Sequence, residues 1–159
     1  VVVGVQLKDD ELDEFLRQGH TLILGTIRRS GEPFLTPLWY VWDNGAIWFQ
    51  TPSRAAKVAH LRRDPRVCCL VEDGERWVDL RAVVINGDAV VIDKDSAEAA
   101  RFAGLMDEKY KAYRFQMTTA PDATKKHYSG SSTLIKVVPR SGETRSWYNR
   151  KIRGLESLP

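Results

Sequence analysis

The chain has 159 residues, 43% of them hydrophobic, which fits one domain around one core. Its 24 Lys and Arg oppose 21 Asp and Glu, a formal charge of +3 that is too mild to mark a nucleic-acid binder. No apolar run nears the roughly 18 residues needed to span a bilayer, and Val1-Val2-Val3 lacks the basic leader and cleavage pattern of a signal peptide.

Residues 10–18 predict a short helix, capped by Asp9 or Asp10, with Leu12, Phe15 and Leu16 as its apolar stripe and Gly19 at its end. Residues 21–27 are rich in β-branched side chains and predict a strand, and Arg29-Ser30-Gly31 turns it into the next one. That strand, 32–43, meets another, 46–50, at Asn44-Gly45, the strongest hairpin signal in the chain. A short helix opens within Thr51-Pro52-Ser53-Arg54-Ala55-Ala56-Lys57 and closes at Leu61-Arg62-Arg63-Asp64-Pro65. Residues 66–72 predict a buried strand. Residues 77–92 predict a long one in which Gly87 marks a bulge or bend.

Residues 95–111 carry Ala99, Phe102, Ala103 and Met106 at helical spacing. The polar stretch 118–132 has no periodicity and predicts a long loop. Strands return at 134–138 and 144–148. Too few helices separate the strands for a parallel sheet, so the pattern predicts a mainly β fold with inserted helices, an antiparallel barrel closed fully or in part. The adjacent Cys68 and Cys69 would face opposite ways on a strand, so a bridge between them would be strained. Two reduced thiols in a buried strand, in a cytoplasmic protein, are the expectation.

Four features could carry chemistry. Ser53 is a candidate N-cap, and the N–H groups and dipole of that helix start favour an anion. Arg54 and Lys57, three residues apart, can converge on one charge, although the same residues also suit a solvated surface helix. Pro37, within Thr36-Pro37-Leu38-Trp39-Tyr40, removes a ladder donor and implies an edge, a bulge or a special face. Phe34, Trp39, Tyr40, Trp42, Trp48 and Phe49 crowd around it and would fill a core, a dimer interface or one side of a flat ring. Near the C-terminus, Arg140, Arg145, Arg150, Lys151 and Arg153 surround Trp147 and Tyr148, with Glu143 the one acid among residues 140–153. That cluster suits a planar anion, a nucleic-acid strand or a solvated tail. His20, His60 and His127 lack ligand spacing, and no nucleophile elbow, Walker loop or dinucleotide fingerprint is present. Any chemistry is therefore expected to come from a bound cofactor.

Together these segments resemble the flavin and deazaflavin oxidoreductases built on the pyridoxamine 5′-phosphate oxidase-like split β-barrel. The likeness spans about residues 9–150. It rests on Leu24-Gly25-Thr26-Ile27, Gly31-Glu32-Pro33, Thr36 to Tyr40, Asn44 to Thr51, Arg54-Ala55-Ala56-Lys57, Leu61 to Val67 and Gly87-Asp88-Ala89, in that order. The resemblance implies a homodimer with cofactor sites at the subunit interface. It sets Thr36, Pro37, Leu38 and Trp39 beside a tricyclic ring, and Gln50, Thr51, Ser53, Arg54 and Lys57 near its phosphate. Trp147, Arg150 and Lys151 would close the site, from either subunit. The Leu61-Arg62-Arg63-Asp64-Pro65-Arg66-Val67 run looks most like the branch that uses coenzyme F420, with Arg54 and Arg62 toward its acidic tail. The implied activity is hydride transfer between the reduced deazaflavin and a small organic acceptor. An FMN oxidoreductase, or a non-catalytic flavin- or haem-binding protein, is the alternative. No Arg-x-Arg substrate signature of pyridoxamine phosphate oxidase is found, which argues against vitamin B6 oxidation. Neither nucleic acid nor membrane is an expected partner.

Overall fold

The computed structural model describes residues 5–159, and the Val1-Val2-Val3 start lies outside them. Helix α1, Asp9–Gln18, packs Phe15 and Leu16 into the core. Its N-cap is Lys8, not Asp9 or Asp10. Glu11 reaches back to accept from the Lys8 backbone N–H at 2.7 Å, which leaves both aspartates inside the first turn, where the helix dipole favours them.

Seven strands form one antiparallel sheet: β1 (Leu22–Ile27), β2 (Pro33–Leu38), β3 (Val41–Asp43), β4 (Ala46–Pro52), β5 (Arg66–Asp73), β6 (Arg81–Ile92) and β7 (Ser132–Tyr148). Their order is β2-β1-β5-β6-β7-β4-β3, so two strands consecutive in sequence, β2 and β3, lie at opposite edges. Leu38 and Val41 are three peptide steps apart, which holds their Cα atoms within about 11 Å. A flat sheet of seven strands would set its edges roughly 29 Å apart. The sheet must therefore curl, and the result is a half-barrel whose two edges are joined through Trp39 and Tyr40. This is why the predicted 32–43 strand is divided. Its first part pairs with β1 and its second with β4.

The inside of the curl is filled by Leu16, Leu22, Leu24, Tyr40, Ile47, Phe49, Val83, Ile85 and Ile135, none more than 1% exposed. Each such burial contributes roughly 1.5–3 kcal/mol. Pro37 sits on edge strand β2, where its missing N–H costs no ladder bond. Asn44 and Gly45 both take positive φ, 50° and 70°, as a tight hairpin requires. At Gly87 the register breaks: two steps along β6 answer five along β7, between the Ile85–Thr144 and Gly87–Pro139 pairs. A Cβ there would lie 2.5 Å from the Val138 carbonyl oxygen, so only glycine admits the close approach.

The predicted strands 134–138 and 144–148 are one element, β7, carried through that bulge. Residues 77–79, expected within a strand, form a 3₁₀ turn before β6. Helix α2 is Ala56–Arg63, and α3 is Ala97–Tyr110, capped by Ser96, whose hydroxyl accepts from the Ala99 N–H at 3.1 Å. The stretch 118–132 holds a further helix, α4 (Asp122–Tyr128), which buries no side chain and so left no periodic signal. Cys69 is buried, and burial pushes its thiol up. Cys68, expected to be buried, is exposed, because alternate β5 residues face outward.

Candidate cofactor site

Strand β4 runs out at Thr51-Pro52, and the chain turns through Ser53, Arg54 and Ala55 into α2. Thr51 pairs with Thr133 of β7, and both are buried. Ser53 Oγ lies 2.8 Å from Thr133 Oγ1, and its backbone N–H donates to the Ser131 carbonyl at 3.0 Å. Ser53 is therefore not the N-cap. Ala55 holds that position, and the Ala55 N–H to Pro52 carbonyl bond, 2.9 Å, closes a turn that swings Ser53 onto β7. Above this row of hydroxyls lies Lys57, half-buried, its Nζ donating to Thr51 Oγ1 at 3.4 Å. No carboxylate pairs with it among the described residues, and burial holds its pKa below the usual lysine value. A partly desolvated cation bonded to Thr51 Oγ1, next to the paired Ser53 and Thr133 hydroxyls, has the chemistry to hold a phosphate.

Arg54 does not join Lys57. Its guanidinium donates to the carbonyls of Lys126 (3.2 Å), His127 and Ser129 (3.1 Å), at the end of α4. The unmatched carbonyls of a helix C-terminus attract a cation, and this attraction ties residues 122–131 to the site. Gln50 is exposed, its side-chain amide bonded to Ser132 Oγ. Arg62 is exposed at the end of α2 with no carboxylate partner among the described residues. Asp64 pairs instead with Arg66 at 2.8 Å, which brings its carboxyl down to about 2.

Along β2, Phe34, Thr36 and Leu38 face inward while Leu35 and Pro37 face out. The His60 ring, one turn beyond Lys57, lies edge-on to Phe34 at 5.2 Å, and its Nδ1 is 2.9 Å from Thr26 Oγ1. Burial, Arg63 and Arg28 lower the His60 pKa, so near pH 7 the ring is neutral. Thr26 opposes Phe34, and the next inward pair is Leu24 with Thr36. The face of α2 that carries Lys57 and His60 therefore adjoins the inward face of β2. On that face the buried Thr36 Oγ1 has no hydrogen-bond partner. An orphaned buried hydroxyl is costly unless a ligand satisfies it. His60 had no signal in the sequence, since the pairing of β1 with β2 decides what it meets.

Trp39 stacks on Tyr110 of α3, centroids 4.4 Å apart and planes 9° from parallel. Tyr110 Oη accepts from the Tyr40 N–H at 3.1 Å and lies within 2.9 Å of the Tyr40 and 2.8 Å of the His20 carbonyl oxygens. Helix α3 thereby fixes the junction between β2 and β3. The C-terminal residues are elsewhere. Trp147 pairs with Ala82 at the far end of β7 from Thr133. Arg150 bonds Asp79 at 2.6 Å, Lys151 bonds Glu11, and Arg140 bonds Asp88 at 2.6 Å, so these three of the five basic residues are matched by acids distant in sequence, whereas Arg145 donates to the Gly142 and Thr144 carbonyls. Within one chain, Trp147, Arg150 and Lys151 are not brought to Lys57. The described residues include no group of three or more potential metal ligands, and no helix long and apolar enough to cross a membrane.

A curled antiparallel half-barrel of seven strands with inserted helices is the architecture of the pyridoxamine 5′-phosphate oxidase-like split-barrel class. The chain belongs to the pyridoxamine 5′-phosphate oxidase family, whose profile matches residues 9–146. Among solved structures, it is similar to a conserved hypothetical protein of Mycobacterium tuberculosis: 31% identity over 99% of this chain and 92% of the other, TM-score 0.76. A haem storage protein of Vibrio cholerae shares the fold at 16% identity, over 88% of this chain and 93% of that one, TM-score 0.66. So does an F420 reductase at 20% identity, over 81% and 93%, TM-score 0.59.

Proposed function

We propose that this chain is an F420-dependent oxidoreductase that holds the deazaflavin between α2 and β2. The observation that carries this reading is Lys57, a half-buried cation with no carboxylate partner among the described residues, bonded to Thr51, with Ser53 and Thr133 alongside. Lys57 and the hydroxyls would hold the phosphate, and Thr36 Oγ1 would find in the ring edge the partner it lacks. When bound, the deazaflavin supplies a hydride as a two-electron carrier. The protein's own part is to orient the ring along Thr36, Pro37, Leu38 and Trp39, and to exclude water with the Trp39–Tyr110 stack. The same phosphate receptor suits FMN. Arg62, exposed and without a carboxylate partner among the described residues, favours F420, whose tail is acidic.

In this reading the protein is a homodimer, and Trp147, Arg150 and Lys151 reach the site from the second copy, since the fold holds them away from Lys57 in their own chain. The test is anaerobic turnover: enzyme and reduced F420 are mixed with electron-poor alkenes and nitroaromatics, and return of the oxidised cofactor's absorbance is followed. Acceptor-dependent return supports the oxidoreductase. Tight binding without return across the panel identifies a carrier instead.

A further inference from the structure

The last turn of α3 drives one lysine into the junction between β2 and β3. Lys109 Nζ donates to the Tyr40 carbonyl at 3.1 Å, lies 4.0 Å from the centroid of the Tyr40 ring and 5.2 Å from that of Tyr110. It forms no ion pair among the described residues. Beside it opens a cleft of about 330 Å³, lined by Arg17, Val41, Trp42, Leu105, Glu108 and Lys109 itself. Burial brings the Lys109 pKa down from 10.5 to about 8. The groups around it are few. Tyr40, from the β2–β3 junction, and Tyr110, from its own helix, are phenols pushed up by burial, Tyr110 to about 12, so both stay neutral. Glu108 of α3 is at the cleft, and α1 contributes Arg17, paired with Asp13, which also accepts from the Trp42 indole at 2.6 Å.

We propose that Lys109 is an acylation site, modified by small acyl phosphates that enter this cleft. Val41, Trp42 and Leu105 offer apolar walls for the acyl group, and Arg17, which lines the same cleft and pairs with Asp13, offers its guanidinium to the anionic phosphate. The unprotonated Nζ attacks the acyl carbon and a C–N bond forms. The C–O bond to phosphate breaks, inorganic phosphate leaves, and the surplus proton on nitrogen passes to water. No oxidation state changes. The product is a neutral amide, which erases the cation lying against Tyr40 at the same junction that carries Trp39. This site is independent of the cofactor reading and stands or falls without it.

The experiment treats the native protein with acetyl phosphate from pH 6.5 to 10 and follows each lysine by peptide mass spectrometry. At pH 8 a lysine of pKa about 8 is half unprotonated, against roughly 0.3% for one at 10.5. That is an advantage of about 150-fold, which the lower nucleophilicity of the weaker base cuts to roughly tenfold. Lys109 is therefore expected to react about tenfold faster than the exposed Lys94, to level off above about pH 8.5, and to lose its advantage in denaturant. Arg17→Gln is expected to slow the reaction with acetyl phosphate several-fold and leave that with uncharged p-nitrophenyl acetate unchanged. A native rate no faster than Lys94, an advantage that survives denaturation, or a rate still climbing at pH 10 overturns the proposal. An Arg17→Gln variant that reacts with acetyl phosphate at the full rate overturns the docking of the phosphate.

Discussion

Replacing Lys57 with methionine removes the ammonium over Thr51 while keeping most of the side-chain volume. A hydrogen bond to a charged group contributes roughly 1.5–3 kcal/mol, so the variant should bind a phosphate-bearing flavin about 10- to 150-fold more weakly. The free protein should behave differently. Burial lowers the folded-state pKa of Lys57, so the unfolded chain holds that proton more tightly and the charge opposes folding. Its contribution to stability rises with pH between the folded and unfolded pKa values, and Lys57→Met should melt at the same temperature as the parent or higher. Binding has the opposite pH sense. An anion favours the charged lysine, so parental affinity falls as pH rises through the Lys57 pKa, and the variant loses that dependence. Fluorescence titration across pH, paired with thermal melts, measures both. Unchanged affinity, or a loss of affinity matched by a drop in melting temperature, would refute the role given to Lys57.

Gly87→Ala should destabilise the fold by roughly 1–3 kcal/mol in chemical denaturation, because the new Cβ meets the Val138 carbonyl at 2.5 Å. A stability within error of the parent would mean that β7 moves freely at its bulge. Trp39→Ala should cost about 2 kcal/mol of stability, less than a fully buried tryptophan, and should also weaken cofactor binding, since the Trp39–Tyr110 stack both packs and shapes the ring strand. Normal melting would contradict the packing half of that statement. Arginine and lysine partners lower the carboxyls of Glu11, Asp43, Asp64, Asp79 and Asp88 in the folded state, and Trp42 with Arg17 does so for Asp13. Their stabilisation is fully present above the unfolded carboxyl range near pH 4 and is lost as pH falls through the folded values. Melting temperature should therefore hold to about pH 4 and drop below it, whereas a decline beginning near pH 6 would implicate histidines instead.

Features set by local backbone chemistry were legible in the sequence. Asn44-Gly45 marked its hairpin, Pro37 narrowed its place to an edge, a bulge or a special face, and Gly87 marked a bulge or bend, because each acts through its own φ, its missing donor or its missing Cβ. Features set by closure were not. The division of residues 32–43 at Trp39 and Tyr40 arises because the sheet curls until its edges meet, a constraint no short window carries. Helix α4 was hidden because it buries nothing. At the site, Thr51, Ser53 and Lys57 stood out together in the chain, but Thr133 joins them only through the pairing of β4 with β7. Arg54 shows the limit of reading spacing alone. Three residues before Lys57, it could face the same anion, yet the open carbonyls of α4 take it.

In the proposed function the α2–β2 face receives a deazaflavin. This is tested most directly by titrating the purified protein with coenzyme F420 and, separately, with FMN, following cofactor fluorescence. Micromolar binding of F420 that Lys57→Met weakens at least tenfold is the expected result. Micromolar binding of FMN with none of F420 would contradict the choice of cofactor, and binding of neither would contradict the site itself.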